Sequence, residues 1–410
     1  MLPARDDRGA ERHVASLDGV RGLAIALVIV RHLSLVPALH GSGNAFDRAL
    51  DGVLGAGWIG VDLFFVLSGF LITGILLRER DRDASTGAKL GRFYWRRILR
   101  IAPLYYAACA ILFYVVPSLP YFREQAQIAT LHQSAPWYWL YGVNFLEVVH
   151  PHAAPFNTGH FWSLSVEEQF YLVWPFIILG ASRKNLVRII AGLIILAPLV
   201  RLGLIAWLPA PSGENAAYTL SIARVDVLGV GAMIALLNHG EAARWLRARS
   251  HAQWIFAGAF ATFAAIALAS GANESRSPLM QTLGYSAVAC AMGCVIILAL
   301  GGGSEESRVQ RAFSAPALRT LGKYSYCLYV VHYPLMVVID LVWMRVRIPT
   351  LLGSSVPSWL AYSAVLIGIS LSIAWVSWRV FEAPILRLKD RFTWHTTPLT
   401  AKSLELGTHS

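Results

Sequence analysis

Eight ionisable residues lie inside long apolar stretches of the chain: Arg21, His32, Asp62, Glu167, Arg201, Arg224, Asp226 and His332. A charged group in the interior of a bilayer costs several kcal/mol, so such residues are usually kept for function. An imidazole titrates near neutral pH and can exchange protons, and a neighbouring carboxylate can orient it. These residue types therefore suit acid–base chemistry at a buried site.

The elements that position these residues are predicted to be membrane helices. The chain has 410 residues, of which 56% are hydrophobic and only 14% are charged. A soluble domain carries about 25% charged residues. Apolar runs of about 20 residues recur along the chain, and each is long enough to cross a bilayer. We therefore predict an all-α integral membrane protein.

Ten apolar runs are predicted to span the membrane: Leu17–Leu39, Val53–Leu77, Ile98–Val116, Phe161–Leu179, Ile189–Leu208, Ala217–Leu237, Trp254–Ser270, Gln281–Leu300, Leu321–Trp343 and Trp359–Val380. A further stretch, Ile128–Leu146, is rich in Trp and Tyr around Pro136. Aromatic side chains favour the headgroup level, so this stretch is predicted to be interfacial or re-entrant.

The basic residues support this topology. The net charge of +11 comes from Lys and Arg clustered in short loops, which is typical of the cytoplasmic side of a membrane protein and not of a nucleic-acid-binding surface. Ten spans with both termini cytoplasmic place most of these clusters inside. The expected domains are a cytoplasmic N-terminal segment (1–16), a transmembrane domain (17–382) and a cytoplasmic tail (383–410). The four cysteines have no metal-ligand spacing, so no metal site is expected.

Six of the ionisable residues converge on one depth. At about 1.5 Å per residue across a core of about 30 Å, they lie about 8–15 Å below the outer face. Arg21 and His32 are about three helical turns apart and share a face, with Asp18 beside Arg21. In the fourth span His160, Ser163 and Glu167 share a face, while Glu168 is predicted to point elsewhere. A polar cavity reached from the cytoplasm follows from this pattern.

Each of these residues also has a purely structural explanation. Asp226 can neutralise Arg224, and Glu168 and Gln169 can join helices by hydrogen bonds. Arg201 and Arg31 can reach lipid headgroups by extending along the helix. Three arginines at the inner end of the third span suit either membrane anchoring or a clamp for the phosphates of a cytosolic cofactor: Arg96, Arg97 and Arg100.

Several motifs resemble those of the acyltransferase-3 family of membrane O-acyltransferases. They are Leu17-Asp-Gly-Val-Arg-Gly-Leu-Ala24 continuing to Arg31-His32, Gly60-Val-Asp-Leu-Phe-Phe-Val-Leu-Ser-Gly-Phe-Leu-Ile72, Arg96 to Ile101, His160-Phe-Trp-Ser-Leu-Ser-Val-Glu-Glu-Gln-Phe-Tyr171, Arg224 with Asp226, Gly322-Lys-Tyr-Ser-Tyr-Cys-Leu-Tyr-Val-Val-His332 and Phe381-Glu-Ala-Pro384. They run in order from residue 17 to about residue 385. The resemblance is to the form without the C-terminal extracytoplasmic hydrolase-like domain that many members carry.

The resemblance implies transfer of an acyl group, usually acetyl from acetyl-CoA, to a hydroxyl. The implied acceptor is a carbohydrate, a glycolipid or a glycosylated small molecule, and the implied location is the bacterial inner membrane. A proton-coupled transporter is the alternative, because it also needs ionisable residues at mid-membrane. The sequence shows no inverted repeat to support it.

The residues and the resemblance together predict the roles in the site. His32 is the expected general base, Glu167 orients it or stabilises its charged form, and Arg21 lies on the path of the thioester. An acyl-His32 intermediate is a variant of this mechanism. The CoA phosphates are expected at Arg96, Arg97 and Arg100. Residues expected to bind substrate or support the site are Asp18, Asp62, His160, Trp162, Ser163, Arg224, Asp226 and His332.

Overall fold

The computed structural model describes residues 14–35, 44–123, 127–240, 242–270, 276–301, 307–343, 345–346 and 350–390. Its helices are α1 (Ala15–Leu33), α2 (Ala45–Gly55), α3 (Ile59–Arg80), α4 (Thr86–Ala110), α5 (Pro120–Arg123), α6 (Gln127–Trp139), α7 (Val143–Val149), α8 (Trp162–Gly180), α9 (Arg183–Trp207), α10 (Ser212–Thr219), α11 (Ser221–Asn238), α12 (Ala242–Ser270), α13 (Tyr285–Leu300), α14 (Arg308–Phe313), α15 (Pro316–Trp343), α16 (Val356–Ser377) and α17 (Ala383–Leu386). Short 3₁₀ segments are Ala56–Trp58, Val116–Ser118, Gly159–Phe161 and Arg387–Asp390, and π turns are Ile111–Val115, Met280–Gly284 and Trp378–Glu382.

The all-α membrane fold is confirmed. Within the described ranges the structure contains eight helices that are long and apolar enough to cross a bilayer. Each of the ten predicted spans overlaps a helix, although residues 36–39 at the end of the first span lie outside the described ranges. Helices α1 and α8 are not among the eight. These two carry the polar residues Arg21 and Glu167, which lower their hydropathy. The count of ten spans and the side of the termini stay predictions, and residues 1–13 of the N-terminal segment and 391–410 of the tail lie outside the described residues.

The aromatic stretch predicted to be interfacial is two short helices. α6 has 13 residues and α7 has 7. The longer one extends about 20 Å, less than the hydrocarbon core. The chain turns between them at Tyr141, which has φ 51°. Asn144 and Gln169 exchange two amide hydrogen bonds of 3.2 and 3.0 Å, which tie α7 to α8.

Helices α1 and α15 run parallel and touch through their backbones. A Cβ atom on Gly22 would lie 2.0 Å from the Leu318 carbonyl oxygen, and one on Gly322 would lie 1.9 Å from the Asp18 carbonyl oxygen. No side chain fits at either position, so glycine permits this approach. Membrane helices commonly pack through small residues in this way. The same feature joins α3 to α11.

Two buried ion pairs connect the helices behind the site. Arg224 Nη2 donates to Asp62 Oδ1 at 2.5 Å, joining α11 to α3. Arg201 forms a two-pronged pair with Asp226, at 3.0 and 2.9 Å.

Both pairs correct the sequence-based interpretation. The ion-pair partner of Arg224 is Asp62, where Asp226 had been considered. Arg201 is fully buried and does not reach the lipid headgroups. Unpaired charges would be costly here, so the two pairs have a structural role in the helix bundle.

Candidate active site

Most of the predicted site residues line one of two cavities, whereas Asp18, Asp62, Arg96, Arg224, Asp226 and His332 line neither. The first, which we call the arginine cavity, has a volume of about 130 Å³ and lies between α1, α3, α4, α8 and α15. Its polar lining consists of Arg21, Ser68, Arg97, Arg100, Ser163, Glu167, Glu168, Tyr171, Ser325, Tyr326 and Tyr329. Three guanidinium groups against two carboxyl groups suit a ligand with negative charge.

The predicted arginine clamp is only partly assembled. Arg97 and Arg100 are three residues apart on α4 and both line the arginine cavity. Arg96 is exposed and is not part of the lining, because one residue along a helix turns its side chain by about 100° from Arg97. Arg21 joins the cluster from α1 and donates to Asp18 at 3.1 Å.

Adjacent residues Glu167 and Glu168 both line the arginine cavity, so the prediction that Glu168 points elsewhere is wrong. The cavity is wide enough to take side chains from neighbouring positions of α8. Glu167 faces Ser68 and Tyr171, whose hydroxyl groups are 2.5 Å apart. The positive charges of Arg97 and Arg21 act on its carboxyl group.

The second cavity, which we call the histidine cavity, has a volume of about 200 Å³. His32 and His160 line it together with four other aromatic side chains, those of Trp58, Trp162, Tyr218 and Tyr329. The charged residues of the lining are Glu147, Arg31 and Arg276. Arg31, for which the sequence allows contact with lipid headgroups, lines this cavity and donates to Ser34 Oγ at 3.0 Å.

Among the described residues, Glu147 supplies the one carboxyl group in the lining of the histidine cavity. It lies on the short helix α7, with Oε1 close to the backbone of Gly159. Burial raises the pKa of Glu147 above its usual range, and the nearby positive charge of Arg276 opposes that shift. The carboxyl group is placed to accept a hydrogen bond from a ligand hydroxyl.

Hydrogen bonds determine which nitrogen of His32 carries the proton. His332 Nδ1 lies 2.8 Å from the Leu328 carbonyl oxygen, so it must be the donor, and neutral His332 accepts at Nε2. His32 Nδ1 lies 3.0 Å from that Nε2 and 2.9 Å from the Val28 carbonyl oxygen. Two acceptors face it, so His32 Nδ1 is the donor. Its Nε2 therefore carries the lone pair and has no hydrogen-bond partner within the described part of the chain.

The expected pairing of Glu167 with His32 is not formed. His32 lines the histidine cavity, whereas Glu167 lines the arginine cavity. Their depths are similar, but depth does not fix direction around the helix axis. His332 occupies the position next to His32 that had been assigned to Glu167.

His160 is the third imidazole of this cluster. Its ring centroid lies 5.8 Å from that of His32 and 5.4 Å from that of His332. Its Nε2 is 2.9 Å from the Tyr329 carbonyl oxygen. Within the described ranges, no three or more His, Cys, Asp or Glu side chains are arranged to hold a metal ion.

Of the remaining predicted residues, Trp162 belongs to the lining, whereas Arg224 and Asp62 support it from behind. Trp162 lies 4.8 Å from the ring of Tyr218, and both line the histidine cavity. The Arg224 guanidinium lies 5.7 Å from the ring of Tyr218 and 4.4 Å from that of Tyr285. Through these contacts the ion pair of Arg224 and Asp62 fixes the position of Tyr218, and so of the aromatic side of the histidine cavity.

Some lining residues were missed at the sequence level. Tyr171 is four residues after Glu167, and Tyr329 is three before His332, so helical spacing alone would have placed each on the right face. Glu147 and Arg276 lie on or beside short segments. Such segments are too short for the periodicity of the sequence to indicate where these two side chains point.

The fold and the two cavities define a polytopic membrane protein with a buried polar site, and comparison with known proteins gives its family. A family described as an acyltransferase domain matches residues 14–379. The chain belongs to this family, so the resemblance inferred from the motifs is confirmed. No solved structure matches the chain.

The relatives that the chain matches are longer proteins. The peptidoglycan O-acetyltransferase OatA of Listeria monocytogenes is 27% identical, over 96% of this chain and 61% of the relative. The O-acetyltransferase OatA of Staphylococcus aureus is 26% identical, over 82% and 53%. The putative peptidoglycan O-acetyltransferase YrhL of Bacillus subtilis is 28% identical, over 80% and 49%. The chain thus spans about half to three fifths of the length of these relatives.

Proposed function

We propose that this protein transfers an acyl group, acetyl in the first instance, from acyl-CoA to a hydroxyl of a carbohydrate-containing acceptor at the bacterial inner membrane. One observation carries the proposal: the hydrogen bond between His32 and His332 leaves the basic Nε2 of His32 available to the histidine cavity. Membership of the acyltransferase family supports the same reaction.

The arginine cavity suits the CoA donor. CoA carries several phosphate groups, and guanidinium groups bind phosphate oxygens through paired hydrogen bonds. Arg97 and Arg100 come from α4, and the loop before it, together with the helix ends on either side, carries the basic residues Arg78, Arg80, Arg82 and Lys89. The positive-inside tendency places that loop in the cytoplasm, where CoA is available.

The histidine cavity suits the acceptor. Trp58, Trp162 and Tyr218 provide faces on which a sugar ring can stack, and Glu147 can accept a bond from a sugar hydroxyl. The names of two of the relatives above include peptidoglycan, a carbohydrate polymer. We assign the acceptor to the carbohydrate class on these grounds.

The chemical step follows from the tautomer of His32. Nε2 removes the proton of the acceptor hydroxyl while its oxygen bonds to the thioester carbonyl carbon. The C–S bond then breaks, CoA leaves as the thiolate and an ester remains on the acceptor. The proton held on His32 goes to the thiolate or to solvent. His332 stabilises the imidazolium by accepting from Nδ1, as a carboxylate does in other catalytic pairs.

The direct test supplies purified full-length protein in detergent with acetyl-CoA and measures the free thiol released. We expect thiol release that rises when a peptidoglycan-derived disaccharide is added as the acceptor probe, with ester formation on the sugar. A transporter leaves the thioester intact. Absence of thiol release from folded protein would therefore refute the proposal.

The arginine cavity predicts a difference between neighbouring arginines. Arg97→Gln should raise the KM for acetyl-CoA by about 10- to 100-fold, because one charge-assisted hydrogen bond to phosphate contributes about 1.5–3 kcal/mol. Arg96→Gln should leave the KM within about twofold, since Arg96 is exposed outside the cavity. Steady-state thiol release measures both.

This matched pair separates local binding from general charge. Both substitutions remove one positive charge from the same helix. If the two variants raise the KM equally, the arginines attract CoA only through net charge, and the assignment of Arg97 to the donor site is wrong.

His332 is predicted to position His32. His332→Ala removes one of the two acceptors at His32 Nδ1 and leaves the Val28 carbonyl oxygen. It should lower kcat by about 10²-fold, since misplacement of a catalytic group by about 1 Å has that effect. His332→Gln places an amide oxygen near the former Nε2 and should recover much of the loss. The KM for acetyl-CoA should stay constant, because His332 is not part of the arginine cavity.

A merely structural role predicts a different result. In that case alanine and glutamine should both reduce the yield of folded protein and leave kcat per folded molecule unchanged. Circular dichroism and size-exclusion profiles give the folded fraction for that comparison.

A further inference from the structure

The two cavities meet at a single layer of side chains. Val61 and Tyr329 line both cavities. Ser163 lines the arginine cavity, and its neighbours His160 and Trp162 line the histidine cavity. We call Val61, Ser163 and Tyr329 the partition. Their exposed fractions are 9%, 4% and 5%, so the layer is closed to solvent.

Hydrogen bonds hold Tyr329 in this layer. Its hydroxyl donates to the His160 carbonyl oxygen at 2.9 Å, which leaves it to accept from Ser163 Oγ at 2.5 Å. The Tyr329 carbonyl oxygen in turn lies 2.9 Å from His160 Nε2. The ring is thus fixed from both ends of the residue. Val61, on α3, completes the layer.

The partition separates the groups that must cooperate. Arg21, Arg97 and Arg100 line one cavity, while His32 lines the other. Because Val61 and Tyr329 line both cavities in the described part of the chain, the direct route from a thioester bound among the arginines to His32 runs past these two side chains. A two-carbon acyl group needs a small opening, and every added methylene must fit through the same gap.

From this geometry we infer that Tyr329, held by Ser163 and facing the gap beside Val61, limits the length of the acyl group that is transferred. The inference rests on the proposed function, and it names the donor class as short-chain acyl-CoA, with acetyl-CoA preferred. Tyr329 is a specificity-determining residue: its ring restricts passage while His32 performs the proton transfer.

The test measures acyl-chain preference with acetyl-, butyryl- and hexanoyl-CoA by thiol release from the full-length protein. Wild type should lose activity as the chain lengthens. Val61→Ala widens the gap and should raise the ratio of hexanoyl to acetyl turnover at least about 10-fold, since each methylene in a tight apolar site changes selectivity by about 10-fold or more. Tyr329→Phe frees the ring and should raise the same ratio.

Tyr105→Phe is the matched control. The Tyr105 hydroxyl is also buried and donates to a carbonyl oxygen, that of Tyr138 at 2.8 Å, but Tyr105 lines neither cavity. This variant should keep the wild-type ratio. Val61→Leu narrows the gap, and it should lower butyryl turnover more than acetyl turnover.

The outcomes distinguish the two proposals. If wild type releases thiol from acetyl-CoA but neither Val61→Ala nor Tyr329→Phe changes the chain-length ratio, the inference about the partition is overturned and the proposed function stands. If Tyr105→Phe changes the ratio as much as Tyr329→Phe does, the effect is general loosening and the inference is also overturned. If folded wild type releases no thiol from any of the three esters, both proposals fail.

Discussion

Replacing His32 with alanine should lower kcat for acyl transfer by about 10²- to 10⁴-fold, the usual contribution of a general base. The imidazole is held by two acceptors at Nδ1, the Val28 carbonyl oxygen at 2.9 Å and His332 Nε2 at 3.0 Å, so its free nitrogen is directed to the acceptor. Alanine leaves no group there to take the hydroxyl proton. Radiolabelled acetyl transfer to the disaccharide probe measures the loss.

The KM for acetyl-CoA should change little in this variant, because His32 is not part of the arginine cavity. His251→Ala is the matched control. Its Nδ1 lies 2.9 Å from the carbonyl oxygen four residues earlier, the same local geometry as in His32, but the side chain is exposed. A His32→Ala enzyme that acetylates the probe at the wild-type rate would exclude His32 as the base.

The second large effect concerns stability. Asp62→Ala should reduce the free energy of unfolding by about 3–5 kcal/mol, because it leaves the Arg224 guanidinium buried without its partner carboxylate. Both side chains are fully buried, so water cannot replace the lost charge. Thermal unfolding in detergent, followed by tryptophan fluorescence, should show a lower midpoint.

The double variant Asp62→Leu with Arg224→Leu removes both charges and should recover most of the loss, since well-packed apolar residues often replace a buried pair without cost. Arg82→Ala is the control for charge removal. Arg82 pairs with Glu79 but is 50% exposed, so its loss should cost less than about 1 kcal/mol. Equal destabilisation by Asp62→Ala and Arg82→Ala would show that Arg224 is compensated by other groups.

The fold was predictable because the hydrophobicity along the chain shows where the membrane helices lie. Runs of about 20 apolar residues mark membrane helices, and each predicted span overlaps a helix. The short aromatic segment was also separable, since Pro136 and the clustered Trp and Tyr residues distinguish it. Helices α1 and α8 are less apolar than the other predicted spans because they carry residues of the candidate site.

The sequence predicts which residues belong to the site, but it does not predict which of them pair with one another. Rise per residue gives the depth of a side chain, and it brought His32 and Glu167 to similar levels. The rise per residue does not show how one helix is rotated about its axis relative to another. Thus Arg224 pairs with Asp62, while His32 pairs with His332. Only packing decides between partners at equal depth.

The parallel contact between α1 and α15 requires the same number of residues between the contact glycine and the histidine in each helix. Gly22 precedes His32 by ten residues, and Gly322 precedes His332 by ten residues. Both intervals rise about 15 Å, which brings the two imidazoles to the same level. A one-residue insertion in either interval would turn its imidazole by about 100° away from the other. Substitutions within these intervals are therefore tolerable where insertions and deletions are not, unless both helices change length together.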